Sequence, residues 1–211
     1  MEIVPPPTYS YGDDGFQLYG FPHLKLGESI GLVGPKHTGK TMVLNLLAGK
    51  LIPNLCKPEE APQWQAIMDH LDVIKDQPGA KEFCTYFPRI KANDLKKESI
   101  QGYGMCHMVG IDDEILTSLP SKLTNTGIQK VKILAALLRE ADAYLLDEPS
   151  SYLTRKERLG VSHAIVSVIG PNRYVVVADE DVNMVEHISK HIFKLDGTPN
   201  QIGHVKPFPY H

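Results

Sequence analysis

Cysteine is scarce in this sequence. Cys56, Cys84 and Cys106 are widely spaced and form no Cys-x-x-Cys pair. That argues against a disulfide framework, and against a zinc or iron–sulfur site built by this chain alone; small buried thiols in a reducing compartment are expected. No apolar run approaches the ~20 residues that span a bilayer. The amino end, Met1-Glu2-Ile3-Val4-Pro5-Pro6-Pro7, lacks the basic-then-apolar order of a signal peptide. A soluble, cytoplasmic protein without a membrane partner is expected. An excess of positive charge is also absent: 22 Lys and Arg stand against 25 Asp and Glu. A chain-wide nucleic-acid surface is therefore not expected, nor is DNA as a partner, although a local basic patch stays open. No internal repeat or low-complexity tract occurs.

What is present is organised around Ser29–Thr41. A short apolar run leads into Gly34-Pro35-Lys36-His37-Thr38-Gly39-Lys40-Thr41, and a helical pattern from Met42 to Ala48 follows. Gly-x4-Gly-Lys-Thr between strand and helix is the phosphate-binding loop. Its glycines let several backbone amides converge on a phosphate, and the helix adds its positive end. Lys40 reaches the β- and γ-phosphates, and the Thr41 hydroxyl is a ligand for Mg2+. Gly34 to Met42 are thus candidate nucleotide contacts.

A second motif follows about 110 residues later. Ala143-Tyr144-Leu145-Leu146 is an apolar strand ending in Asp147-Glu148. Asp147 is the second candidate Mg2+ ligand, and Glu148 the candidate base that activates water. Elsewhere residues 1–10 read as an extended arm, and Phe16–Phe21 as a strand. Helical patterns cover Trp64–Ile74, Ile128–Ala141, Arg155–Val168 and Val182–Lys190. Strand-like runs cover Phe83–Ile90 and Tyr174–Ala178, with hairpin-like strands at His191–Leu195 and Gln201–Val205. Strands alternating with helices predict an α/β domain with a mostly parallel sheet over residues 1–211.

The run Leu145-Leu146-Asp147-Glu148-Pro149-Ser150-Ser151-Tyr152-Leu153 resembles the ATPase domain of ABC proteins. Within them, Ser-Ser-Tyr-Leu is similar to the class-E subfamily, the RNase L inhibitor or ribosome-recycling ATPases. The likeness extends through Tyr11…Phe16-Gln17-Leu18, Gly31-Leu32-Val33-Gly34, Leu47-Ala48-Gly49-Lys50, Pro62-Gln63-Trp64-Gln65, Pro171–Val177 and Gly197-Thr198-Pro199. It is to the first of that family's two ATPase domains. The resemblance implies a P-loop NTPase of ABC type, with an N-terminal antiparallel edge and a small helical subdomain over about 91–140. It implies ATP and Mg2+ as ligands, Tyr11 and Phe16 as candidates for packing on adenine, and a ribosomal subunit or translation factor as partner. The family's iron–sulfur and second ATPase domains are not expected in this chain.

Several motif positions depart from the family's pattern. Arg89 stands for the glutamine that reaches Mg2+ and water; a guanidinium cannot ligate a metal. The signature Leu-Ser-Gly-Gly reads Leu123-Thr124-Asn125-Thr126, whose side chains obstruct the backbone approach to an opposing γ-phosphate. Thr154 replaces the aspartate after Ser-Ser-Tyr-Leu, and Glu180 replaces the switch histidine. Glu180 would repel the γ-phosphate unless protonated or paired, with Arg89 a candidate partner. His37 stands where these loops usually carry Gly, either touching nucleotide or as exposed filler. His187 and His191, spaced i,i+4, are read as solvent-facing rather than metal-bound; Lys91, Lys96 and Lys97 as a solvated face; Met105, Cys106 and Met108 as packing. The expectation is an ATP-binding protein acting in translation with slow or lost hydrolysis. Two alternatives stand beside it: an ATPase completed in trans by a second ABC-type domain, and a non-enzymatic interaction module.

Overall fold

A computed structural model describes residues 7–12, 14–54, 83–85 and 100–209. The helix expected over Trp64–Ile74, Arg89, and Lys91, Lys96 and Lys97 lie outside the described residues. The strands are β1 (Tyr9–Ser10), β2 (Gln17–Tyr19), β3 (Ser29–Val33), β4 (Phe83–Thr85), β5 (Ala143–Asp147), β6 (Tyr174–Asp179), β7 (His191–Asp196) and β8 (Ile202–Pro207). The helices are α1 (Lys40–Leu47), α2 (Ile100–Val109), α3 (Asp113–Thr117), α4 (Asn125–Leu137), α5 (Arg155–Val166) and α6 (Val182–Ile188). Among the described residues none is long and apolar enough to cross a membrane.

The strands form one sheet in the order β1-β2-β8-β7-β3-β6-β5-β4. Pairing is parallel except at β1–β2 and β7–β8. The expected mostly parallel sheet with an antiparallel N-terminal edge is therefore present. The arm read over residues 1–10 is corrected: Tyr9 and Ser10 pair with Leu18 and Gln17. Asn54 fastens this edge, accepting from the Ser10 amide at 2.9 Å and donating to the Ser10 carbonyl at 2.6 Å.

The central strands are apolar throughout because both faces are covered. Ile30 and Leu32 of β3, Leu145 of β5, and Val176 and Ala178 of β6 pack with Met42, Val43, Leu44 and Leu46 of α1. The alternate residues, Val33, Tyr144, Leu146, Val175 and Val177, pack with α4 and α5. Each fully buried aliphatic side chain contributes about 1.5–3 kcal/mol. A Cβ at Gly31 would overlap Val185 Cγ1, so α6 rests directly on the β3 backbone. Met105 is buried in the second core, with Cys106 and Met108 partly buried against it, as expected.

Candidate functional site

Strand register builds the site. Val33 pairs with Asp179 across β3–β6, and Asp147 with Ala178 across β5–β6. The loop after β3, Asp147-Glu148 and Glu180 therefore emerge side by side at one edge of the sheet. This carboxyl edge is where ligands bind in open α/β sheets.

The loop is held by its own polar groups. The Thr38 hydroxyl donates to the Pro35 carbonyl at 2.8 Å. The buried Lys40 ammonium donates to the carbonyls of Gly34 at 2.7 Å and Pro35 at 3.0 Å. Glu180 Oε1 lies 4.0 Å from Lys40 Nζ, the outer limit of an ion pair. Gly39 has φ 101°, and the Phe16 ring sits 3.0 Å from where its Cβ would stand, so only glycine suits this position. Gly39 precedes α1 without a side-chain cap, which leaves the positive helix end for an anion. His37 adopts φ 62°, which costs a non-glycine residue about 1 kcal/mol. Its side chain is exposed at the cavity wall, and its carbonyl accepts from the Asn200 amide.

The Thr41 hydroxyl donates to Asp147 Oδ2 at 2.7 Å. Asp147 Oδ1 is buried and has no hydrogen-bond partner. Burial raises the Asp147 carboxyl above its usual range; the Thr41 hydrogen bond and Lys40 charge pull it down, and Glu148 and Asp179 push it up. An unsatisfied carboxylate oxygen beside a Thr hydroxyl fits a hard divalent cation such as Mg2+. Among the described residues no group of three or more His, Cys, Asp or Glu could hold a metal. The Thr41–Asp147 pair could supply only part of a coordination shell, the rest falling to phosphate and water. Glu148 has φ 47°; its amide donates to the Ala178 carbonyl at 2.7 Å and its carbonyl accepts from Gln129 Nε2 at 3.2 Å.

These groups surround one cavity of about 690 Å³. Of the expected residues, Tyr11, Phe16, Lys36, His37, Gly39, Lys40, Thr41, Met42, Asp147 and Glu148 line it. Gly34, Pro35 and Thr38 do not; they shape the loop behind it. Met42 is also part of the core under α1. Tyr11 is largely exposed and meets Tyr9 edge-on, with ring centroids 5.0 Å apart.

The sequence profile of the ABC transporter family matches residues 22–151. The chain belongs to that family. Within it, the chain is 29% identical to "ABC transporter E family member 1" of Arabidopsis thaliana over 96% of its own length and 36% of the relative's. It is 28% identical to "Translation initiation factor RLI1" of Saccharomyces cerevisiae over 93% of its length and 36% of the relative's. A solved archaeal ribosome recycling factor, aABCE1, in complex with ribosomal stalk protein aP1, superposes with TM-score 0.79 at 27% identity, over 98% of this chain and 43% of that one. The chain thus spans little more than a third of the curated relatives' length, and the class-E likeness is present.

Within this ABC fold, Thr124, Thr126 and Thr154 serve local structure. Thr124 caps α4, its hydroxyl accepting from the Gly127 amide at 3.1 Å. Asn125 and Thr126 form the first turn of α4, so the helix starts earlier than the expected Ile128; Thr126 donates to the Tyr152 carbonyl at 2.7 Å. Thr154 caps α5 in a reciprocal box with Glu157. Lys130 donates to Glu157 Oε1 at 2.7 Å, and with the Thr154 amide and hydroxyl donating to Glu157 Oε2 it lowers the Glu157 carboxyl to about 2.

Sequence reasoning missed Asn45, Gln129, Ser151, Tyr152 and Asn200 at the cavity wall. Ser151 and Tyr152 belong to a quoted motif, whereas Gln129 and Asn200 arrive only through tertiary packing. It also missed Glu28, which is buried at the far end of β3. Lys190, Lys25 and His191 surround it, and their hydrogen bonds lower its carboxyl to about 2. His191 is thus not simply solvent-facing: its Nε2 lies 2.7 Å from Glu28 Oε2. His187 is exposed beside His163, centroids 5.1 Å apart.

Proposed function

We propose that the chain holds an adenine nucleotide with Mg2+ as a structural or regulatory ligand, hydrolyses it slowly, and works in the cytoplasm on a ribosomal subunit or translation factor. The observation that carries the first part is the convergence of Lys40, the Thr41–Asp147 pair and the orphan Asp147 Oδ1 on one cavity. Lys40 and the α1 amides bind phosphate, and Thr41 and Asp147 hold the cation. Mg2+ would neutralise phosphate charge there. Tyr11, at the open rim, packs on the adenine, while Phe16 backs Gly39. Slow hydrolysis is inferred from Thr124–Thr126, Thr154 and Glu180. Each stands where the family places a group that senses or completes the γ-phosphate site, and losing one such contact costs ~10²–10³ in rate. The translation part rests on the likeness to a translation initiation factor and a ribosome recycling factor.

Nucleotide at 100 times Kd should raise stability by about 2.7 kcal/mol, read as a thermal shift. Single-chain turnover should stay far below the typical ~10 s⁻¹. An unshifted unfolding curve, or turnover near 10 s⁻¹, contradicts this reading. Glu148 at the cavity edge favours a second reading, hydrolysis completed by a partner domain. Turnover that appears only with a partner and vanishes in Glu148→Gln would support it. Co-sedimentation with ribosomal subunits, with and without nucleotide, tests the docking claim; absence from the pellet in every condition removes it.

A further inference from the structure

The far end of the nucleotide cavity opens toward a second recess of about 550 Å³. Lys36, Glu148 and Ser151 border both, and Asp179, Glu180 and Asp181 line the second. Glu180 follows β6 directly, and the register of Val33 with Asp179 places it beside the phosphate loop. Its carboxylate stands 4.0 Å from Lys40 Nζ, on the one buried cation of that loop. Lys40 spends its other contacts on the Gly34 and Pro35 carbonyls. An ammonium has three donors. A terminal phosphoryl group would therefore compete with Glu180 for Lys40, and would bring extra negative charge beside the Glu180 carboxylate; of the cations lining the recess, Arg158 is already paired with Asp181 and Lys36 stands exposed at the loop. Asp179 is turned inward, its two oxygens accepting from Ser150 and the Asp181 amide. A diphosphate meets the same loop amides without the added charge.

We infer that Glu180 makes this site selective for a nucleoside diphosphate over the triphosphate, standing where the terminal phosphoryl group would sit. The inference rests on the nucleotide-holding reading and names the form held. One like charge brought near Glu180 at the effective dielectric of a protein surface costs enough for roughly a tenfold preference or more.

The test is calorimetric titration of the whole chain with ADP and with ATP, each with Mg2+, in the wild type and Glu180→Gln. The expected result is ADP binding about tenfold or more tighter than ATP, with Glu180→Gln closing most of that gap by strengthening ATP. Equal binding of the two nucleotides, or a preference for ATP, overturns the inference and leaves the nucleotide reading standing. A ratio unchanged in Glu180→Gln overturns the role of Glu180. Binding of neither nucleotide overturns both. A salt series on the wild type alone supplies the second measurement: the ADP preference should shrink as ionic strength rises, and a salt-independent ratio contradicts a charge-based origin.

Discussion

The loop-and-aspartate region and the helix starts at Thr124 and Thr154 treat their polar groups differently. Thr124, Thr126, Thr154 and Glu157 are satisfied inside the chain, as caps and bridges of α4 and α5. On the other side Asp147 Oδ1 is buried without a partner, and His37 and Glu148 hold left-handed backbone. Groups that complete one another locally stabilise the fold. Groups kept strained or unsatisfied are stabilised by what binds them. The caps at Thr124 and Thr154 are thus self-contained helix starts, while Asp147 keeps an oxygen with no partner inside the chain.

The largest effect that would break this contrast lies at Lys40. Lys40→Ala should abolish the ~2.7 kcal/mol of stabilisation by nucleotide at 100 times Kd. Thermal unfolding with and without ligand checks it; a retained ligand shift removes Lys40 from the binding machinery. Thr154→Ala should do the opposite, lowering intrinsic stability by about 1 kcal/mol while the ligand shift persists. Denaturant unfolding of the two variants side by side separates the halves, and a Thr154 variant as stable as wild type would show its cap to be idle.

Asp147→Asn sharpens the contrast further. Burial disfavours the charged carboxylate, so the amide should leave the ligand-free chain as stable or ~0.5 kcal/mol more stable, and should erase the dependence of binding on Mg2+. Loss of stability without ligand would show the carboxylate to be structural.

The smallest effect is at the opposite edge of the sheet. The Glu28 carboxyl is lowered from 4.5 to about 2, so its stabilising contribution is complete above pH 4.5 and is lost as pH falls through 2. Glu157 carries the same sign over the same window. Glu28→Gln should flatten part of the acid-unfolding profile between pH 4.5 and 2, while an unchanged slope would assign it to Glu157.

Much of the binding half was legible because its chemistry lies in contiguous spacing. Gly34-x4-Gly39-Lys40-Thr41 and Asp147-Glu148 each declare the end of a strand and the turn after it within a few residues. The rest depended on distance. Glu28 meets Lys190 and His191 only after some 160 residues of chain bring β7 alongside β3. Gln129 reaches the Glu148 carbonyl from inside α4. β1 is two residues long, too short for periodicity, and exists because β2 and Asn54 hold it. The early start of α4 escaped because apolar spacing begins at Ile128, whereas the helix begins at its cap, Thr124. Thr154-x-x-Glu157 carried a capping signal that was overshadowed by its place in a nucleotide motif.

The central claim is that this site holds nucleotide without readily cleaving it. The direct measurement is equilibrium dialysis of the chain, in excess, against labelled ATP and Mg2+, with the label separated by chromatography after increasing times. The account predicts label retained on the protein side and still intact after minutes. Label converted to diphosphate within about a second, or not retained at all, would contradict it.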